Sequence, residues 1–328
     1  MKIRSTILIL FFLISSCGSA SKENFNIDLI KTKEFLKNND KIEFFINNPS
    51  SKIISNLEFE IDDNLVSSPY LLNNKLGKNI LKATFSVDDK QYILNKEFVI
   101  YSSIKPKIYS YKIINEFSHD INSYTQGLEF SNNDFLYEGT GQYGYSMLKK
   151  VNYQTGEVLE KLFLDKSYFG EGITIFNNKI YQLTWKTHKV FVYDAKTLKK
   201  TNELYWPYEG WGLTHNDTSL IVSTGESNIY FVDPINFTIQ KTLGVFNQYG
   251  YLSNINELEY ANGQLYANVY GRNEVVVIDP VLGQVKSSID FTNILSQAGV
   301  KYDPLSIDAG YVMNGIAFQP KKNTFFIT

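Results

Sequence analysis

Tyr168-Phe169-Gly170-Glu171-Gly172-Ile173-Thr174 sets a carboxylate between two glycines, behind two aromatic residues and at the head of an apolar alternating run. Glycine lets a backbone turn tightly and lets a neighbouring chain approach closely. The alternation of Ile173 and Ile175 predicts a strand with Glu171 at its mouth. The unit recurs as Gln126-Gly127-Leu128-Glu129-Phe130, Trp211-Gly212-Leu213-Thr214, Asn256-Glu257-Leu258-Glu259-Tyr260 and Asn314-Gly315-Ile316-Ala317-Phe318. The leading residues Gln126, Glu171, Trp211, Asn256 and Asn314 stand 45, 40, 45 and 58 residues apart. A period of about 40–45 residues with several short strands per unit marks a propeller blade. The expected fold is therefore all-β, a five-bladed β-propeller. Equivalent positions in successive blades face one axis, so these five residues should ring one end of a central channel. Four bring side-chain oxygens and the fifth an indole.

The remainder of the chain surrounds this array. Among 328 residues, 32 Lys and Arg face 34 Asp and Glu, for a net charge of −2, which leaves no basic footprint for nucleic acid. Aromatic residues make up 15%, with 23 Tyr and 23 Phe, as suits strands with aromatic walls. Residues 1–17 read as a targeting segment: Lys2 and Arg4 precede an apolar run, residues 7–14, that is too short to span a bilayer. Leu13-Ile14-Ser15-Ser16-Cys17 resembles a bacterial lipobox, and Cys17 is the one cysteine of the chain. The expectation is a lipoprotein signal peptide, lipidation at Cys17 and export to a bacterial membrane, in the periplasm or at the cell surface. Residues 18–25 read as a polar tether. Residues 26–105 carry short strand-like runs separated by turn clusters, without His or Cys. They predict a small Ig-like β-sandwich acting as a spacer or docking module. The propeller is assigned to residues 107–328. Its first run, Ile108-Tyr109-Ser110-Tyr111-Lys112-Ile113-Ile114, is the candidate to complete the last blade. The long fourth interval carries an insertion, residues 291–313, in which Ile294-Leu295-Ser296-Gln297 predicts a short helix over one rim.

Several familiar motifs fail on context. Gly139-Thr140-Gly141-Gln142-Tyr143-Gly144 has the letters of a dinucleotide fingerprint, but β pattern follows it where a helix N-terminus is required. It reads as a glycine-rich hairpin. His119, His188 and His215 make no metal-ligand spacing. Neither a Gly-x-Ser-x-Gly elbow nor a Walker loop occurs. Any catalysis falls to carboxylate and amide side chains. On the residues alone, Gln126 and Asn256 also suit a hydrated polar channel, and Trp185 and Trp211 a packed core.

The strings Tyr124-Thr125-Gln126-Gly127-Leu128, Glu138-Gly139-Thr140-Gly141, Phe169-Gly170-Glu171-Gly172-Ile173-Thr174 and Tyr181-Gln182-Leu183-Thr184-Trp185 occur in this order. Gly210-Trp211-Gly212-Leu213-Thr214, Asn256-Glu257-Leu258-Glu259-Tyr260 and Asn314-Gly315-Ile316-Ala317 follow them. Together they resemble the glutaminyl-peptide cyclotransferases (glutaminyl cyclases) of the plant and bacterial type, over about residues 108–328. The resemblance implies a five-bladed propeller that converts the N-terminal glutamine of peptides or proteins to 5-oxoproline (pyroglutamate) with release of ammonia. It implies Glu171 as general acid/base and Gln126 and Asn256 as substrate-binding amides. Trp185, Trp211, Phe169 and Tyr124 would be the aromatic walls of the glutaminyl slot. Tyr270 stands where the family has a third tryptophan, and Asn314 is a further channel-lining, substrate-binding candidate. No cofactor is required and no metal ligands are assigned. A structural cation in the channel is compatible with the family, though no carboxylate cluster in the sequence demands one. The family continues past Phe326-Ile327-Thr328 with a Gly-Lys and a stretch bearing Trp-Pro. The fifth blade is accordingly expected to be truncated, without the family's site lysine. The alternative reading is a non-catalytic β-propeller surface lipoprotein that binds peptides or other ligands.

Overall fold

The computed structural model describes residues 24–30, 33–131, 135–299 and 312–328. The signal segment, Cys17, most of the tether and residues 300–311 of the insertion lie outside them. Among the described residues the regular structure is β apart from one short helix, Ile294–Gln297.

In the N-terminal part, Lys41–Asn47 and Gly77–Val87 alternate strictly, burying Ile42, Phe44 and Ile46 in one and Leu81, Ala83, Phe85 and Val87 in the other. Period-two alternation leaves each sheet with one apolar face, which can be buried only against another layer. A three-stranded sheet (Asn26–Ile30, Lys41–Asn47, Tyr70–Leu71) accordingly shares one core with a five-stranded sheet. The second sheet runs Leu36–Lys37, Lys90–Tyr101, Gly77–Val87, Ser55–Ile61, Asn64–Val66.

Three four-stranded antiparallel blades follow. Blade one comprises Thr125–Ser131, Phe135–Thr140, Met147–Asn152 and Glu157–Phe163. Blade two comprises Gly170–Phe176, Lys179–Thr184, Lys189–Asp194 and Lys200–Tyr205, and blade three Leu213–His215, Leu220–Ser223, Asn228–Val232 and Ile239–Gly244. Blade four is Ile255–Ala261, Gln264–Val269, Glu274–Ile278 and Val285–Asp290. Among the described residues blade five has two strands, Ile316–Gln319 and Thr324–Ile327. In blades two to four the first strand lies innermost, and its apolar residues share a core with the preceding blade.

One expectation is corrected. The run after residue 106 does not complete blade five. Its strand is only Lys107–Tyr109, which pairs in parallel with Val285–Asp290 on the outer edge of blade four. Beyond it Tyr111 packs on Phe291 and Phe117 stacks on Phe326, at 4.7 and 5.5 Å between ring centroids. Aromatic contacts, rather than ladder hydrogen bonds, absorb the alternation of this segment.

The sandwich and the propeller are joined by a side chain. Phe246, between blades three and four, is fully buried within the sandwich core. A Cβ at Gly77 (φ +95°) would lie 2.9 Å from the Phe246 ring, so only glycine fits there. Leu76 N donates to Leu282 O at 3.0 Å and Gln284 Nε2 to Ser102 Oγ at 2.9 Å, closing the same seam.

Candidate active site

The repeat glycines explain how the inner strands reach the axis. A Cβ on Gly127 would stand 2.5 Å from Ile173 N, and one on Gly172 2.5 Å from Leu213 N. A Cβ on Gly212 would overlap Asn256 O. Each of these glycines therefore lies flat against the inner strand of the next blade. The residue just before each is the leading residue of the repeat. In blades one, two and four the ladder register slips at this point, between Thr125 and Gly127, Gly170 and Ile173, and Ile255 and Leu258. Such bulges re-aim a side chain away from the sheet. Gln126, Glu171 and Asn256 lie within these slips.

The structure brings the residues singled out in the sequence together. Gln126, Glu171, Asn256 and Asn314 are all buried. Asn314 Nδ2 donates to Gln126 Oε1 at 2.7 Å and to Thr125 O at 3.0 Å. With its oxygen occupied, Gln126 turns its NH2 toward the Glu171 carboxyl and donates to it. Loss of hydration pushes the Glu171 carboxyl well above the usual carboxylate range; the Gln126 bond opposes this and the nearby Glu209 charge adds to it. Asn256 Oδ1 and Asn314 Oδ1 are buried acceptors without a partner. A cleft of about 200 Å³ opens onto this group, with Tyr124, Gln126, Asn256, Tyr270 and Asn314 in its lining.

Aromatic rings form the sides. Phe169 meets Tyr124 at 6.1 Å, Tyr143 at 5.5 Å and Trp185 at 5.5 Å between centroids, and Trp211 meets Tyr270 at 5.7 Å. Trp185 and Trp211 are only partly buried, whereas the tryptophan of the core is Trp206, 1% exposed. Glycines seat these rings: Gly141 lies against Phe169 and Gly225 (φ +77°) against Trp211, where a Cβ would fall 2.6 Å from the indole. The glycine-rich hairpin thus serves close packing against Phe169.

Sequence reasoning missed three features. His119, set aside for lack of metal spacing, lines the cleft and bonds through Nε2 to Glu138 Oε1 at 3.0 Å. Glu138 also accepts from Thr125 Oγ1 at 2.8 Å and pairs with Lys149 Nζ at 2.8 Å, both partners of the ion pair being 2% exposed. Burial alone would raise Glu138, but the His119 bond and the Lys149 ammonium more than offset it and hold the carboxyl below its ordinary range. Lys149 Nζ also donates to Ser123 Oγ. Tyr143, quoted only as part of a turn, joins the aromatic wall. Glu209 bonds both half-buried indoles. Its one signal is its position two residues before Trp211, where blade two has Phe169 before Glu171.

Deeper in the molecule Glu129, Glu257 and Glu259 approach one another, a grouping the separate repeats did not disclose. Glu257 accepts from Leu128 N at 3.1 Å and Ile316 N at 2.8 Å, stitching blade four to blades one and five. Glu129 accepts from Thr174 Oγ1 at 3.0 Å and from Ile175 N, and Glu259 from Phe318 N. Desolvation raises all three carboxyls, and their proximity adds to the rise for Glu257 and Glu259. These oxygens are engaged by neighbouring blades. Among the described residues no three His, Cys, Asp or Glu side chains form a group able to hold a metal ion.

A propeller whose inner strands gather a buried carboxyl, three amides and an aromatic wall at one mouth defines a class of carboxylate-and-amide sites. The comparisons with known proteins identify the family. The glutamine cyclotransferase family model matches residues 90–328, and the chain belongs to that family. It is 35% identical over 225 residues to a glutaminyl-peptide cyclotransferase of Arabidopsis thaliana, covering 68% of each chain. The crystal structure of Myxococcus xanthus glutaminyl cyclase superposes with a TM-score of 0.61 at 30% identity, covering 68% of this chain and 93% of that one.

Proposed function

We propose that this chain is a glutaminyl-peptide cyclotransferase that acts on peptides or proteins with an N-terminal glutamine, with Glu171 as its proton shuttle. The observation that carries the assignment of Glu171 is its burial against the cleft-lining Gln126, which donates to it, without a basic partner among its interactions. The α-amine nitrogen attacks the side-chain amide carbon, the new C–N bond closes a five-membered ring, and the bond to the amide nitrogen breaks. One proton leaves the amine and one must reach the departing nitrogen, so that ammonia is released. A carboxyl whose proton affinity is raised toward neutrality suits both transfers. Ring closure already holds the reactants together, so the site mainly selects the conformer.

The other assignments follow from chemistry. The unpartnered Oδ1 atoms of Asn256 and Asn314 suit the N–H donors of a glutaminyl chain, since a buried acceptor left unpaired is costly. Gln126 orients Glu171. Tyr124, Phe169, Trp185, Trp211 and Tyr270 flank the apolar methylenes of the substrate. No cofactor enters these steps. Family membership favours this reading over a non-catalytic binding propeller. For the N-terminus, the lipobox-like run before Cys17 supports an exported, lipid-anchored bacterial protein. Cys17→Ala should move the protein from the membrane to the soluble fraction.

Mass spectrometry of a Gln-initiated peptide tests the reaction. The parent should remove ammonia from it, with or without a strong chelator, and Glu171→Gln should bind the peptide and leave it intact. Equal turnover by Glu171→Gln would remove Glu171 from the mechanism, and no turnover by the parent would refute the activity.

A further inference from the structure

One residue, Glu209, accepts from every tryptophan of the chain, which has three. Trp185 Nε1 donates to Glu209 Oε2 at 2.7 Å and Trp211 Nε1 donates to the same oxygen at 3.3 Å. Trp206 Nε1 donates to the main-chain oxygen of Glu209 at 3.2 Å. Trp206 is locked among the rings of Tyr208, Tyr230 and Phe237, at 5.4 to 5.6 Å between centroids. The Glu209 backbone is thereby tied to the core, while its side chain reaches the two half-buried indoles.

The backbone beside Glu209 is held as firmly. Gly210 N donates to Trp185 O at 3.0 Å, and a Cβ at Gly210 would stand 2.8 Å from both Leu183 Cβ and Thr184 O. On the far side, Gly172 N donates to Trp211 O at 2.8 Å, so the residue after Glu171 is bonded to the second indole's own backbone. The second carboxylate oxygen, Oε1, faces Lys186 Nζ at 3.7 Å, and that ammonium lies 3.9 Å from the Trp185 ring centroid.

We propose that Glu209 is a positioning residue for glutamine cyclization: one carboxylate oxygen sets the planes of Trp185 and Trp211 together and keeps the glutaminyl slot formed before substrate arrives. The proposal rests on the cyclotransferase reading of the site. An indole wall free to turn about its two side-chain torsions must be ordered by the substrate, at a cost in affinity; a shared charged acceptor orders it in advance. The charge of Glu209 also acts on Glu171, where it disfavours the ionised form. An ordinary rim ion pair with Lys186 would do neither, since exposed pairs contribute little.

The test compares the parent with Glu209→Gln and Glu209→Ala, by tryptophan emission without substrate and by steady-state ammonia release from a Gln-initiated peptide. Glu209→Ala frees both indole N–H groups, so emission should shift to the red and KM should rise about tenfold or more, with a smaller change in kcat. Glu209→Gln keeps an acceptor oxygen and loses the charge. Its emission and KM should stay near those of the parent, while the pH limb set by Glu171 moves to lower pH. Parent-like emission in Glu209→Ala overturns the clasp whether or not the protein is active. Parent-like KM with shifted emission overturns the positioning role. If Glu209→Ala does not fold, red-shifted emission with a parent-like KM in Glu209→Gln overturns the proposal. An inactive parent refutes the cyclotransferase reading, and the emission of Glu209→Ala still decides the clasp.

Discussion

Glu129 shows how a single carboxyl couples this fold to pH. It is part-buried and accepts from Thr174 Oγ1 and Ile175 N, and loss of hydration pushes it up to about 8. In the unfolded chain it would titrate in the ordinary carboxylate range. A group whose folded value is raised binds more protons in the native state, so its stabilisation is full below the unfolded value and is lost as pH rises toward the folded one. Glu129→Gln replaces the protonated form by a neutral isostere that still accepts from Thr174. Urea unfolding should show little change near pH 5 and a gain near pH 8, with a shallower decline between. An unchanged pH slope would mean that Glu129 ionises freely in the folded protein. The buried Glu138–Lys149 pair has the opposite sign: Glu138 is held low, and its contribution is lost as pH falls.

At the scale of the element, the inner strand is a bulged strand whose glycine touches the next blade. Gly172 is one such example, with a prospective Cβ 2.5 Å from Leu213 N and 2.6 Å from Trp211 O. Both are backbone atoms that cannot turn aside. Gly172→Ala should therefore push blades two and three apart and cost about 1–3 kcal/mol, as overpacking does. Because Glu171 sits in the same bulge, turnover should fall by more than the stability loss explains. Denaturant midpoints and ammonia release measured on folded protein would check both. An alanine variant with parent stability would mean that the inner strands are loosely packed. Blade four replaces this glycine with Glu257, whose side chain instead spans to Leu128 and Ile316.

For the whole molecule, the seam between sandwich and propeller turns on Phe246, which is fully buried among sandwich residues. Removing a buried aromatic side chain costs about 3–5 kcal/mol when the site cannot collapse. Phe246→Ala should lower the thermal midpoint and separate one melting transition into two as the sandwich loosens from blades three and four. A single transition at the parent temperature would show that the main-chain bond from Leu76 to Leu282 and the Gln284–Ser102 bond hold the seam alone.

The local pattern was enough for the propeller, because a blade is a short-range object. The spacing of x-Gly-apolar units, the alternation along each strand and the turn residues are all set by neighbours in the chain. The same repeat placed Gln126, Glu171, Trp211, Asn256 and Asn314 at one mouth, since symmetry carries a local position to a common axis. Three things were decided only by the tertiary structure. The first strand went to the edge of blade four, a choice between two exposed edges that alternation cannot distinguish. His119 and Glu209 became part of the site through contacts with Glu138, Trp185 and Trp211. Their spacing in the chain matches no motif. Glu129 was brought together with Glu257 and Glu259, 128 and 130 positions further along the chain, where shared desolvation, a property of the folded surroundings, raised their proton affinities. Periodicity is written along the chain. Proximity and dielectric environment exist only once the chain has closed on itself.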